Sequence, residues 1–505
     1  MATTGDWVTP RLYGQPWFEK PILYYWLSAI GFSLHLPAEW AARLPSAFAA
    51  IAATLAIAWL AWKQYGIQNT FADSPVILAP LIFSTSVAAI GFARAATPDM
   101  LFSACITLAI ISATSVLRRA GALRARQSAV ADPAQRDVVS LLFFGAALGL
   151  GALAKGPAAV ILAGGAIGIW AVATGRWRAA IRLAHPLAIT AFCFVALPWY
   201  IVCARRNSDF IHAFVFEHNF ERYLTPVFQH KQPFWFFGPM VLLAILPWTV
   251  LLLPAAQDGL RLWREKVWLD SPGFFIACWA LFPVFFFSFS QSKLPGYILP
   301  AVPPLALLLA VACKRITDPE SASYVWINMA LALTWVAMGL SSAIMLHRLS
   351  PGAQDAASRT IFACAALAIG GAIIIKALRL LNRRGALLIS ALLVALLVEI
   401  AGARILPALD PYISARPHAQ FLHNDRRPDR IFTFHVNRSW SFGFAFYLDR
   451  ELPEWSPKDP QAALVLTNPK GLEEIRKLGR LGGELEESYR GILYVPVLPT
   501  PGVSH

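Results

Sequence analysis

Charge is what this chain has least of. Only 14% of its 505 residues are Asp, Glu, Lys or Arg, while 57% are hydrophobic and the mean hydropathy is +0.54. An ordinary soluble domain carries about 25% charged residues, so a soluble globular protein is excluded and the membrane class is indicated. Acidic residues are the scarcer sign, 29 against 43 Lys and Arg, for a formal net charge of +14. That surplus does not imply nucleic acid, because no soluble basic patch or nucleic-acid-binding module accompanies it. In a membrane protein the extra Lys and Arg belong to cytoplasmic loops. The six cysteines (Cys105, Cys193, Cys203, Cys278, Cys313 and Cys364) sit in or beside apolar stretches at irregular spacing. They read as small apolar packers, which excludes a disulfide framework or a zinc knuckle. The glycines form no phosphate loop: GLGALAKG (149–156) lacks both the spacing and the Ser/Thr. Internal repeats and low-complexity linkers are absent, and the polar opening MATTGDWVTPRLYG lacks the pattern of a cleavable signal peptide.

What is there is a succession of apolar runs. A spanning helix needs about 20 mostly apolar residues. The runs predict about twelve spans, near 41–62, 75–93, 99–117, 139–153, 157–173, 184–203, 234–254, 272–288, 296–313, 323–346, 358–375 and 386–405. The pair 139–153 and 157–173 is separated only by LAKGPA. Splitting it makes alternate loops coherent in charge. One set contains RRAGALRAR (118–126), GRWRAAIR (175–182), RLWREK (261–266) and LRLLNRR (378–384), and the other set holds roughly half as many Lys and Arg. The first set is therefore predicted to be cytoplasmic. From about residue 406 the pattern changes to short strands at 430–436, 463–467 and 491–497 and an amphipathic helix at 471–479, which predict a small extracytoplasmic α/β domain. The expected organisation is an extracytoplasmic or interfacial segment 1–40, a transmembrane bundle 41–405 and a soluble domain 406–505.

Polar residues at membrane depth are costly and mark candidate sites. Here they collect on the non-cytoplasmic side, in segment 5–40, in ARAATPDM (93–100), LAKGPA (153–158), loop 204–233 and SQSKLPGYILP (290–300). Five stretches on one face point to a single site. Taken singly, each residue also has a plain reading. Glu19 and Lys20 can mark a water boundary before the aromatic run 21–35, which is expected to lie in the interface plane. Asp99 can serve as a helix-dipole partner. Lys155 and Lys293 can snorkel. In FEHNFERY (216–223), Glu217, His218, Glu221 and Arg222 can belong to a solvated amphipathic segment, or can hold a metal and a phosphate.

The chain resembles bacterial polyprenyl-phosphate-dependent membrane glycosyltransferases of the GT-C superfamily. These are the relatives of lipid A 4-amino-4-deoxy-L-arabinose transferase and of the protein O-mannosyltransferases. The resemblance rests on GDWVTPRLYGQPWFEKPILYYW (5–26), ARLPSA (42–47), TPDM (97–100), LAKGP (153–157), PWY (198–200), FEHNFERY (216–223), LPWT (246–249) and SKLPGYILPAVPPLALL (292–308). These occur in the family's order across the membrane region. The resemblance implies an all-α polytopic bundle of the GT-C type with interfacial helices and a small C-terminal α/β soluble domain. It also implies an inverting transfer of a sugar, an aminoarabinose-like pentose or a hexose, from a polyprenyl-phosphate donor. The acceptor would be lipid A, another glycolipid or a protein, with no nucleic acid as partner. The site would face the periplasm from a multi-pass protein of the bacterial inner membrane. Substrate-binding positions would be Lys20, Asp99, Lys155, Arg222, Lys293 and Tyr297, and Glu19 with His218 would hold a divalent metal ion.

In the family the essential carboxylate lies in a loop after an initial span, before the GDW stretch. Only MATT precedes GDW here, and Asp6 matches a non-catalytic Asp, so the catalytic residue is unknown from this chain. The alternatives are a truncated or inactive lipid-binding homologue and, less favoured, a transporter. A transporter should show paired broken spans with charges near the midplane, whereas these charges stand at helix ends on one side.

Overall fold

The computed structural model describes residues 1–66, 74–120, 133–224, 232–313, 385–400 and, with short gaps, 402–499, together with residues 123, 334 and 337. The expected spans at 323–346 and 358–375 lie outside the described residues. The chain divides into two compact units, residues 1–336 with 370–394, and residues 337–369 with 395–505.

The first unit is a helical membrane bundle. Among the described residues five helices are long and apolar enough to cross a membrane: Ala38–Tyr65, Asp99–Arg119, Asp137–Lys155, Pro186–Arg206 and Pro295–Ala312. Shorter apolar helices are Ala158–Thr174, Pro272–Ser288 and Ser390–Ile400. The break between 155 and 158 confirms the split of 139–173. Gly156 takes φ 84°, a left-handed conformation that ends the helix, and Pro157 starts the next. Side-chain composition around the helices is that of a lipid-facing bundle: Leu55, Val172, Phe194 and Leu281 are more than 60% exposed, while the facing sides carry small residues. Gly145, for example, lies so close to the Ala188 backbone that no Cβ would fit.

Two expected spans are bent. Pro75–Ser84 and Val87–Arg94 meet at 57°, and Phe234–Ala244 meets Trp248–Arg264 at 107°. In the second case Pro247 lacks a backbone donor and biases Leu246 away from helix, so the first helix stops. The sequence beyond is amphipathic, and Leu253, Leu260 and Trp263 are exposed along one face of Leu252–Arg264. The stretch is thus a broken one, an apolar first helix followed by an amphipathic second. The aromatic run after EKP forms the helix Leu23–Ser33.

The N-terminal residues are anchored. Trp199 Nε1 donates to Val8 O at 2.9 Å, Asn207 Nδ2 donates to Thr9 Oγ1 at 3.0 Å, and Trp26 Nε1 donates to Trp7 O at 2.7 Å. Asp6 accepts from the backbone N–H of Val8 and Thr9 and lies 3.5 Å from Arg206 and 3.7 Å from Arg11. Partial burial alone would raise its carboxyl pKa, but those N–H groups and the two guanidinium groups lower it below the ordinary 3.8. A lowered folded value contributes stability above 3.8 that is lost as pH falls through 3.8 and below. Hydrogen exchange of residues 6–9 is therefore expected to quicken on acidification through that window, and Asp6→Asn is expected to remove the pH dependence.

The second unit contains a four-stranded sheet in the order Ile431–Phe434, Ala463–Thr467, Ile492–Val497, Glu486–Tyr489, parallel between the first two and antiparallel thereafter. Alternation along the strands serves two cores. Ile431, Leu464, Leu466 and Tyr494 pack on one side with Phe444 of helix Arg438–Leu448 and Leu422 of helix Arg416–Asn424. Val465, Val495 and Val497 face Ile475 of helix Pro469–Lys477 and Trp455 on the other. His418, fully buried, shares a 2.8 Å hydrogen bond with the Tyr494 hydroxyl.

Candidate active site

Helix termini from distant parts of the first unit converge on one cavity of about 640 Å³. Asp99 opens helix Asp99–Arg119, Lys155 closes helix Pro133–Lys155, Tyr200 stands in the last turns of Pro186–Arg206, and Tyr297 lies in the turn Pro295–Ala301 that begins another span. Antiparallel packing puts these N- and C-termini together. Lys20, Lys155, Tyr200, Tyr223, Ser290 and Tyr297 line the cavity, and aliphatic and aromatic side chains complete its wall.

Lys155 is the best-defined cation. Its ammonium is ion-paired and hydrogen-bonded to Asp99 and lies 4.8 Å from the Tyr297 ring centroid and 5.5 Å from that of Phe102. The side chains of this pair are only 12% and 17% exposed, so their mutual charge is weakly screened. Two rings and a carboxylate thus fix one lysine at the cavity edge. Gly296 admits Asp99 closely: a Cβ there would stand 2.9 Å from Asp99 Oδ1 and 2.9 Å from Phe92 Cζ. Lys20 adds a weaker electrostatic attraction on the same carboxylate. Glu19 lies 3.9 Å from Lys20.

Aromatic packing carries the EKP stretch to the loop after residue 206. Phe18 meets Phe210 edge-on at 5.1 Å, Phe210 stacks on Phe214 at 5.7 Å, and Trp199 and Tyr200 flank them. Tyr223 stacks on Phe286 at 4.9 Å and donates to the Phe286 carbonyl at 2.9 Å, while its own carbonyl accepts from the Gln291 N–H. Loop 208–224 is therefore fastened to the end of helix Pro272–Ser288.

Of the sequence-predicted residues, Lys20, Lys155 and Tyr297 line the cavity and Asp99 stands beside them. Lys293 is placed differently. It is buried, its ammonium donates to the carbonyls of Gln232 and Ser290, and burial pulls its pKa below the ordinary lysine value. It ties two loops together. The backbone of His218 and Arg222 is helical, but their side chains lie outside the described residues. For the expected metal pair this leaves Glu19, whose described neighbour is an ammonium. Among the described residues no group of three or more His, Cys, Asp or Glu side chains converges to hold an ion. Glu19 supplies one oxygen ligand of the expected pair, and a divalent ion takes several.

Sequence reasoning missed Tyr200, Tyr223, Phe286, Phe287 and Ser290. Tyr200 and Tyr223 do stand in the motif stretches PWY and FEHNFERY. Phe286 and Phe287 belong to VFFFSFS (284–290), where composition cannot separate a cavity-facing ring from a lipid-facing one.

A polytopic bundle with interfacial helices, an ionic cavity at one end and an appended α/β unit is the architecture of the GT-C membrane glycosyltransferases. The chain is similar to members of that superfamily. Residues 1–214 match the family model described as dolichyl-phosphate-mannose-protein mannosyltransferase. The chain is 32% identical over 344 residues to an undecaprenyl phosphate-alpha-4-amino-4-deoxy-L-arabinose arabinosyl transferase of Erwinia tasmaniensis, a match covering 68% of this chain and 58% of that protein. The protein of the same name from Edwardsiella ictaluri is 30% identical over 352 residues, with the same coverages of 68% and 58%. The match thus spans less than two thirds of the length of these curated relatives. Among solved structures, that of ArnT from Cupriavidus metallidurans bound to undecaprenyl phosphate shares the fold with a TM-score of 0.79 at 20% identity, covering 98% of this chain and 91% of that one. Its apo form gives a TM-score of 0.78.

Proposed function

We propose that the protein transfers a sugar from a polyprenyl phosphate to an envelope acceptor at the extracytoplasmic face of the bacterial inner membrane. The observation that carries this reading is the pair of ammonium groups, Lys20 and Lys155, on the wall of an otherwise largely apolar cavity. Apolar walls suit an isoprenoid, and fixed cations suit its phosphate. The names of the curated relatives, with their undecaprenyl phosphate-linked aminoarabinose, support the same donor class.

In a single displacement the acceptor oxygen forms a bond to the anomeric carbon as the bond to the phosphate oxygen breaks, with inversion. Negative charge grows on the departing phosphate. Lys20 and Lys155, held in place before reaction, stabilise it most where water is excluded. Asp99 pairs with Lys155 and directs its ammonium. A phosphate acceptor such as that of lipid A is already ionised and needs positioning, whereas a sugar or protein hydroxyl needs a base. A pentose or hexose donor, and a lipid or protein acceptor, fit this scheme equally.

Charge at the opposite end of the bundle supports the orientation. Arg118, Arg119, Arg176, Arg178, Arg261 and Arg264 stand at helix ends away from the cavity, as cytoplasmic residues do.

Purified protein given undecaprenyl phosphate-linked aminoarabinose and lipid A is expected to release undecaprenyl phosphate. Lys20→Ala should slow that release about tenfold without lowering the melting temperature, as for the loss of one half-exposed phosphate contact. Tight binding of the donor with no release under any acceptor would replace this reading with that of a lipid-binding homologue.

A further inference from the structure

Two fully buried serines outside the cavity wall hold the backbone on either side of the Asp99–Lys155 pair. Ser46, in helix Ala38–Tyr65, donates at 2.9 Å to the carbonyl of Thr97, just ahead of Asp99. Ser103, one turn along from Asp99, donates at 3.3 Å to the carbonyl of Leu299, in the turn that carries Tyr297. The Ser46 bond secures a group that the helix itself leaves out. Helix Asp99–Arg119 starts its ladder with the Phe102 N–H donating to the Pro98 carbonyl, so the Thr97 carbonyl stands outside it. Among the described residues its donor is the Ser46 hydroxyl.

The same helix face meets the segment that carries Lys20. Ala42 lies one turn before Ser46, and its carbonyl accepts from the Tyr24 hydroxyl. Tyr24 is buried and stands in the first turn of helix Leu23–Ser33, shortly after Lys20. The two helices approach closely: a Cβ at Gly31 would stand 3.0 Å from Ala41 Cα. Helix Ala38–Tyr65 is therefore a spacer that joins the Lys20 segment, through Ala42, to the turn before Asp99, through Ser46. Neither Tyr24 nor Ser46 lines the cavity.

We propose that Ser46 is a positioning residue: by holding the Thr97 carbonyl against the helix that also receives Tyr24, it fixes Asp99, and the Lys155 ammonium paired with it, relative to Lys20. The proposal rests on the polyprenyl-phosphate reading above and adds to it a residue that touches no substrate. Charge fixed before reaction serves the transition state, where the phosphate gains negative charge, more than it serves the singly charged donor. Loss of Ser46 therefore lowers kcat and leaves the donor KM. Sugar-free undecaprenyl phosphate is a monoester with about two negative charges at pH 7, so it resembles the departing group and its affinity reports the same placement.

The test is a double-mutant cycle on the purified full-length protein. Ser46→Ala is expected to lower kcat for release of undecaprenyl phosphate about tenfold, with the donor KM within about twofold of the parent. In the Asp99→Asn, Lys155→Met background the groups that Ser46 places are gone, and the same change is expected to alter residual turnover less than about twofold. A comparable loss in both backgrounds, or a loss confined to KM, overturns the proposal in favour of a general packing role. Should Ser46→Ala fail to fold, Tyr24→Phe decides, since it removes one hydroxyl and keeps the ring. It is expected to lower kcat about threefold with the same dependence on background, and an equal effect in both overturns the proposal. Binding is read separately, by native mass spectrometry with undecaprenyl phosphate as the probe. Ser46→Ala is expected to weaken it about fivefold in the parent and less than about twofold in the doubly substituted background. Equal weakening in the two again overturns the proposal. A parent that binds this lipid and releases none would sink the transfer reading, and the binding cycle alone would then decide the role of Ser46. A parent that binds none overturns both.

Discussion

Lys155→Met is expected to lower release of undecaprenyl phosphate a hundredfold or more, on the order of what removal of one fixed charge stabiliser costs an acyl-transfer enzyme. Lys155 is the last residue of its helix, and the left-handed Gly156 and Pro157 that follow turn the chain away immediately. Its ammonium is therefore held from one side by the helix end and from the other by Asp99, Phe102 and Tyr297. The single variant also strands Asp99 in a poorly hydrated place. Breaking a buried pair in this way destabilises by about 3 kcal/mol or more, so lost turnover alone would not prove a role in catalysis. The double variant Asp99→Asn with Lys155→Met removes both charges. Its melting temperature should return close to that of the parent while turnover stays low. Recovery of turnover in the double variant would mean that Lys155 serves only to neutralise Asp99, and the phosphate would have to be held elsewhere.

Much of this arrangement was legible because membrane insertion writes itself into sequence. Runs of apolar residues predicted spans that the described helices match at 38–65, 99–119, 133–155, 158–174 and 186–206. The separation at LAKGPA came from loop charge alone and agrees with the break at Gly156. At 234–254 hydropathy marks an apolar stretch but does not register that Pro247 breaks it into two helices bent by 107°, nor that LLPAAQDGLRLWR (252–264) places Leu253, Leu260 and Trp263 on one side. In the second unit, strands at 431–434, 463–467 and 492–497 followed their alternation. Helices Arg416–Asn424 and Arg438–Leu448 went unread, the latter because RSWSFGFAFYL mixes aromatic and small residues that suit a strand as well.

The candidate site was legible to a different degree. Lysine inside an apolar chain is conspicuous, yet taken singly Lys20 reads equally as a water-boundary residue and Lys155 as a snorkelling one; the structure puts both on the cavity wall. The same rule also selected Lys293, whose carbonyl acceptors at Gln232 and Ser290 are a matter of loop conformation that sequence does not show. Tyr200 and Tyr223 illustrate the converse. Each looks like a membrane-interface aromatic until its partners are known, the carbonyls of Ala152 and Phe286, residues 48 and 63 positions away.

Gly296→Ala should test the fit between the turn and the ion pair most sharply, with turnover falling about tenfold to a hundredfold. The backbone at Gly296 does not need glycine, since its φ is not in the left-handed range, so alanine introduces no conformational strain of its own. The added methyl meets two things: Asp99 Oδ1 at 2.9 Å and the Phe92 ring at 2.9–3.0 Å. Either contact must give by some tenths of an ångström, and overpacking of this kind costs about 1–3 kcal/mol. If Phe92 alone moved, the ion pair would survive and turnover would be kept. Adding Phe92→Leu opens the ring side only, so Gly296→Ala with Phe92→Leu should regain most of the lost thermal stability while turnover remains depressed, because the methyl still displaces the Asp99 carboxylate and with it Lys155. Gly91→Ala, where a Cβ meets no atom within 4 Å, should change neither quantity. Full recovery of turnover in the Gly296→Ala, Phe92→Leu variant would show that the turn constrains Phe92 and leaves the placement of Lys155 to other contacts.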